Sequence, residues 1–422
     1  MCVMKPIKNQ IFLILLILPI LLSSTALTSI AFASDKPVWT IDYKKLNLPK
    51  YTLLSRDKTD PKFNIHFTAD NKIFVSFLQY RTQAELTIKD TPKKFDAFFV
   101  ALLLSIENGK LISRVEWPVT PESDVLRQTR VYPLPSGGYV GIINRLDFSA
   151  EDRKIVTHLQ TFDASFNVIH DRVLDTLPSK SSYDIIVPLS GKFIVLCRRG
   201  NDKRFPPYEN LVEIIDSDMF EIIERFELPD FKIVDIWQDR LLSRSYADMV
   251  HEGRYVEKKI GASQWNDIGL GQGEYAEAKY IYNGATVVQE SIYNGFILIN
   301  DNIKFLTGPV KRFWVVIEDG KKSDPLKGCI STPSWNTSVV ACKRNETSAT
   351  RSFFDLFGKG WIEAYDLNTR QVLLATKAYT PDSISGEDIV DYAVSPDGNS
   401  IVLMTSKKIE LYNVNSKKDK KK

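Results

Sequence analysis

The chain of 422 residues carries 44% hydrophobic, 25% charged and 11% aromatic residues, the composition of a folded globular protein and not of a disordered or collagen-like one. Its formal charge of +3 comes from the two ends: without Lys5, Lys8 and the lysine-rich tail, residues 34–416 hold 48 basic and 51 acidic side chains. A mildly acidic body argues against a general nucleic-acid role.

Residues 1–33 have the layout of a secretory signal peptide: Lys5 and Lys8, an apolar run from Ile11 to Leu22, and an Ala31-Phe32-Ala33 cleavage site. Removal before Ser34 implies a secreted or periplasmic protein with no membrane span after cleavage. Ile11 to Ala33 also covers 23 residues, enough to cross a bilayer as an uncleaved anchor. Cys2 lies too early to be a lipoprotein cysteine. At the other end, residues 417–422 read as a solvated, frayed tail.

Next in the chain comes an apolar strand, Val38 to Tyr43, and then a unit that recurs to the end. A turn of Asp, Asn, Ser, Pro or Gly leads into a β-rich apolar run, a variable loop and a second apolar strand. The turns fall at Asp70, Ser136, Ser190, Gln238, Asn294, Trp335 and Asp397, in steps of 66, 54, 48, 56, 41 and 62 residues, near the length of a four-stranded blade. The clearest copy is the last, Tyr392-Ala393-Val394-Ser395-Pro396-Asp397-Gly398-Asn399 followed by Ile401 to Met404 and Lys408 to Val414. It stops after its third strand, which leaves Val38 to Tyr43 as the natural fourth. Long amphipathic helices are absent; only Ala276 to Tyr282 and short pieces near Phe353 have helical character.

That last copy, with the Asn108-Gly109-Lys110 turn, resembles the WD40-like and YVTN-type β-propeller repeats of secreted bacterial proteins. The likeness runs over residues 38 to 414 and is strong only in the last copy, while the Gly-His and Trp-Asp dipeptides of WD40 blades are missing. The expected fold is an all-β, seven-bladed β-propeller occupying residues 34–416 as one domain, its ring closed by the N-terminal strand.

Chemical motifs are sparse. His66, His158, His170 and His251 show no metal-ligand spacing. Gly269-Leu270-Gly271-Gln272-Gly273 lacks the strand and helix that a dinucleotide-binding turn needs, and no nucleophile elbow or P-loop is present. Asp184, Asp235 and Asp391 stand at inner-strand candidates, where lactonase-type propellers hold calcium. Cys197 reads as a buried thiol. Cys329 and Cys342 flank Thr332 to Thr337 symmetrically, at a separation compatible with a disulfide across a hairpin.

The long loops are more informative. Arg81 to Lys94, Arg145 to Lys154, Arg198 to Asn210 and Lys343 to Gly360 open on one face and together carry 15 basic and 9 acidic residues. Two of them combine arginines with aromatics, a composition suited to recognition. The expected contact residues are Arg198, Arg199, Arg204, Tyr208, Lys343, Arg344 and Arg351, the arginines pairing with carboxylates or phosphates. The sequence thus points to a monomeric, non-enzymatic binding propeller of the cell envelope or exterior, holding a protein, peptide or anionic glycan without a cofactor. The alternative is a calcium-dependent propeller enzyme, a lactonase-like hydrolase or a lyase.

Overall fold

The computed structural model describes residues 36–48, 63–80, 97–119, 129–147, 154–175, 182–187, 191–199, 210–228, 231–245, 255–268, 275–280, 283–293, 296–300, 303–307, 310–318, 321–322, 337–345, 360–379 and 387–414. Beyond a short 3-10 turn at Tyr43–Leu46, all regular structure in them is β.

Among the described residues six antiparallel sheets have four strands each, and four of them form as consecutive meanders. Sheet I is Asn64–Phe67, Ile73–Tyr80, Ala97–Leu104 and Leu111–Val119; sheet II is Arg130–Pro133, Tyr139–Asp147, Lys154–Phe162 and Val168–Asp175. Sheet III is Ser182–Ile186, Phe193–Arg199, Asn210–Asp216 and Ile222–Glu227; sheet IV is Phe231–Trp237, Arg240–Ser245, Tyr255–Lys259 and Asn266–Asp267. Sheet V joins Tyr275–Tyr280, Thr286–Tyr293, Val310–Glu318 and Lys321–Lys322, with the hairpin Phe296–Asn300 and Ile303–Thr307 inserted between its second and third strands. Sheet VI combines Ile389–Val394, Ser400–Thr405 and Lys408–Asn413 with the N-terminal strand Trp39–Asp42, which pairs with the chain's last strand from Trp39 opposite Leu411 to Asp42 opposite Lys408. A three-stranded sheet, Val339–Asn345, Gly360–Asp366 and Gln371–Ala375, precedes sheet VI in the chain.

A middle strand of a stacked sheet has two faces to bury, so sequences such as Ile73-Phe74-Val75-Ser76-Phe77 and Ile401-Val402-Leu403-Met404 are almost continuously apolar. In the second strand of sheet I, Ile73, Val75 and Phe77 pack towards sheet VI, with Val402, Met404, Ile409 and Leu411. Phe74 and Leu78 point the other way and join Val131, Tyr139, Ile143 and Phe162 of sheet II. The same alternation stacks II on III, III on IV, and the three-stranded sheet on VI. Sheets of this kind, stacked face to face in chain order with first strands touching first strands, make a β-propeller.

The expected seven blades are corrected to six. The turn at Tyr293-Asn294-Gly295 does not open a blade: Phe296–Asn300, which follows it, belongs to the hairpin inserted in sheet V. Ser334 to Asn336 lie outside the described residues, and Val339–Asn345, which follows them, belongs to a sheet with three described strands. Nor do the described contacts show a closed ring, although the N-terminal strand takes its expected place beside the last strand. The stretch with helical character at Ala276 to Tyr282 lies instead in the first strand of sheet V as far as Tyr280, and Phe353 lies outside the described residues. No helix among the described residues is long and apolar enough to cross a membrane.

Candidate functional site

Two sets of polar residues recur from sheet to sheet. The first lies on the first strands, which touch one another at the inner edge. In sheets IV and VI the first strand carries a bulge, at Ile233/Asp235 and Ile389/Asp391. The bulge turns an aspartate carboxylate back onto backbone. Asp391 accepts the N–H of Tyr392 at 2.9 Å and, through its other oxygen, that of Ile65 in sheet I at 2.8 Å. Asp235 does the same with Ile236 and with Tyr280 of sheet V, both at 2.8 Å. Asp184 in sheet III receives Arg130 of sheet II at 3.1 Å. Burial pushes the Asp391 carboxyl up to about 6, against the lowering effect of its two N–H donors. His66, on the neighbouring strand, is pushed down to about 4 by burial; its Nε2 has no hydrogen-bond partner and its ring lies 5.8 Å from that of Tyr132.

Asp184, Asp235 and Asp391 are the residues that a calcium site would draw on. Two of them bind backbone of the next sheet, and no three His, Cys, Asp or Glu side chains come together as a metal site among the described residues.

The second set escaped the sequence reading. Third strands of sheets III, IV and VI and the middle strand of the three-stranded sheet each carry a glutamate between or beside apolar residues: Glu213, Glu257, Glu410 and Glu363. Each faces the preceding strand in matching register, Glu213 opposite Leu196, Glu257 opposite Leu242, Glu363 opposite Cys342 and Glu410 opposite Leu403. All are partly or wholly buried and all have partners. Glu213 binds Arg172 of sheet II at 2.6 Å and Arg225 of its own sheet. Glu257 takes the Tyr280 hydroxyl of sheet V at 2.6 Å and Arg240 at 3.2 Å. Glu363 accepts the Trp361 indole N–H at 2.9 Å. Glu410 accepts the hydroxyls of Tyr379 and Tyr412 and pairs with Lys408 at 3.1 Å and Lys377 at 3.6 Å. Burial would raise the Glu410 carboxyl, but the hydrogen bonds from Tyr379, Lys408 and Tyr412 hold it below its ordinary value. The signal was present as Val212-Glu213-Ile214, Ile362-Glu363-Ala364 and Ile409-Glu410-Leu411, an acid inside an apolar strand.

The same register locates the loop-side arginines. Arg198, Arg244 and Arg344 each stand two residues beyond the partner of one of these glutamates. Arg198 is exposed, and Arg244 lies over the Tyr255 ring at 5.7 Å. Lys343 directs its ammonium to Asp388 at 3.3 Å and to the Ile389 carbonyl at 3.1 Å. Arg199 and Arg344 are placed by backbone pairing. Arg204, Tyr208 and Arg351, and most of the four long loops, lie outside the described residues, as does Cys329. Cys342 and Cys197 are buried in the strands Val339–Asn345 and Phe193–Arg199.

No family model matches the sequence, and no curated protein matches it. Among solved structures the chain is similar to the β-propeller domain of the trilobed protease from Pyrococcus furiosus, at 8% identity over 84% of this chain and 97% of that one, with a TM-score of 0.49. TolB from Acinetobacter baumannii matches at 13% identity over 76% of this chain and 77% of that one, TM-score 0.37. Kuenenia stuttgartiensis hydrazine synthase matches at 12% identity over 86% and 99%, TM-score 0.45.

Proposed function

We propose that this β-propeller is a secreted or periplasmic, non-enzymatic binding protein, of the kind its last repeat resembles, which holds an acidic protein, peptide or glycan against its loop end. The observation that carries the reading is the register-equivalent arginine, Arg198, Arg244 and Arg344, repeated at the loop-side end of the second strands of sheets III and IV and of the first strand of the three-stranded sheet. Planar guanidinium groups repeated on a scaffold suit carboxylates, sulfates or phosphates spaced along a partner. The inner aspartates support the same reading, because Asp235 and Asp391 already join neighbouring sheets.

The test is calorimetric titration of residues 34–422 with heparin and with poly-L-glutamate. One of the two binds, and Arg198→Ala combined with Arg344→Ala weakens it at least tenfold, about 1.4 kcal/mol, with no fall in the thermal midpoint. Binding unchanged in the variant sinks the proposal. So does a midpoint that rises with calcium and falls back with EDTA while neither polyanion has an effect.

A further inference from the structure

The end of the sheets opposite the arginines carries a different repeat. The outermost strands of sheets I, II and III each begin with two aliphatic residues, Leu111-Ile112, Val168-Ile169 and Ile222-Ile223, and all six are exposed, Ile169 to 57% and Ile223 to 49%. The other exposed large hydrophobic residues among those described, Val38, Val173 and Met219, belong to the same flank of sheets VI, II and III. Elsewhere the corresponding strands begin Asn266-Asp267 and Gln371. The arc is continuous, because neighbouring sheets meet along it: the Trp39 indole donates to Ile106 at 2.7 Å, Trp117 meets Phe166, and His170 stacks on Phe220 at 5.1 Å.

Isolated exposed aliphatics are ordinary, whereas a run across three neighbouring sheets marks a contact surface. These residues also lie on edge strands, each with a strand partner on one side only among the described residues. An edge that invites pairing is normally blunted. Sheet I has Pro118 in that position; the Val168–Asp175 strand of sheet II has no proline. The surrounding charge is acidic. Glu107, Glu116, Asp171, Asp218, Glu221 and Glu227 are exposed against Lys110 and Lys192, Asp171 meets His158 at 2.8 Å, and Arg172 and Arg225 are both held by Glu213.

We propose that this arc docks an extended segment of another protein, built of aliphatic and basic residues, which adds as a strand to the Val168–Asp175 edge. Main-chain hydrogen bonds supply affinity in such pairing and alternate side chains supply choice. A second copy of this chain would bring acidic edge to acidic edge, and an anionic membrane would be repelled by the same carboxylates. The arc is at the other end of the sheets from the arginines, so this proposal stands whether or not the polyanion reading holds.

The probe is a fluorescein-labelled octapeptide of alternating valine and lysine, titrated by anisotropy into residues 34–422. It binds saturably, at least tenfold more tightly than a valine–glutamate octapeptide or a backbone N-methylated copy, and added salt weakens it. Ile169→Lys with Ile223→Lys, and separately Asp171→Lys with Glu227→Lys, each weaken it at least tenfold while the circular dichroism spectrum and thermal midpoint stay unchanged. Equal binding of the N-methylated or glutamate peptide, or equal binding by both folded variants, overturns the proposal. It is overturned equally by a dimer in light scattering that the Ile169→Lys, Ile223→Lys variant disperses, or by co-sedimentation with phosphatidylglycerol vesicles.

Discussion

The tight turns of this propeller and the seams between its sheets are stabilised by opposite kinds of contact. In the turns an aspartate serves its own neighbourhood: Asp163 accepts the N–H groups of Ser165 and Asn167 at 2.8 Å, Asp216 those of Asp218 and Met219, and Asp397 that of Asn399 at 3.0 Å. The Asn167 side chain and backbone hydrogen bonds hold Asp163 below the usual carboxylate range. In the seams the partners are remote. Asp391 and Ile65 are 326 residues apart, and Tyr43 reaches the Thr405 carbonyl across 362. A turn loses one local hydrogen-bonded loop when its aspartate goes; a seam variant leaves charges uncompensated inside two sheets at once.

The strongest challenge to that contrast is Glu410→Gln. With the carboxylate gone, Lys377 loses its acidic partner, Lys408 keeps only Glu387 at 3.4 Å and the Tyr379 and Tyr412 hydroxyls lose their charged acceptor, and urea unfolding should show a loss of about 3 kcal/mol. A loss no larger than that of a turn aspartate would remove the distinction. The turn most resistant to change is at Gly138, where φ is +73° and a Cβ would overlap the Phe162 carbonyl. Gly138→Ala should cost about 2 kcal/mol by the same measurement.

Acidity separates the seam residues more finely. Unfolded histidine titrates near 6.5 but His66 resists protonation to about 4, so the unfolded chain binds the extra proton and stability rises with pH across that window. Asp391 keeps its proton to about 6 against 3.8 in its ordinary state. There the folded chain binds the extra proton, and stability falls as pH rises through the window. The two slopes oppose each other in the native protein. Asp391→Asn should therefore leave a midpoint that climbs from pH 4 to 6.5, and His66→Phe one that declines from pH 4 to 6. Parallel curves for both variants would show that these groups do not set the slope.

Asp397→Ala, in the clearest turn, should cost about 1 kcal/mol, the size of a net hydrogen bond. Arg198→Ala should change stability by less than about 0.5 kcal/mol, because its side chain is exposed; a larger loss would mean that it serves the fold.

Local chemistry was therefore legible and remote chemistry was not. Ser395-Pro396-Asp397-Gly398-Asn399 announces its own turn, since each group it needs lies within five residues. The apolar runs beside such turns announced strands, and their two-sided apolarity announced stacking. Asn294-Gly295 uses the same turn residues but precedes an inserted hairpin, because turn chemistry specifies a reversal of the chain and not the sheet to which the next strand belongs. Arg198 and Arg344 were visible as basic loop ends and Arg244 was not, and Lys343 was read as a contact residue without sight of Asp388, 45 residues away.

By itself the sequence determined an all-β chain of short antiparallel strands, its turns, and the use of an N-terminal strand to complete the last sheet, set by apolar runs, turn propensity and the missing fourth strand of the last copy. Tertiary structure decided the six four-stranded blades, the inner aspartates as joints, and the burial of Glu213 and Glu410. Those depend on which faces meet, and a carboxylate buried between two sheets is tolerated only where a second sheet brings the cation or hydroxyl that satisfies it.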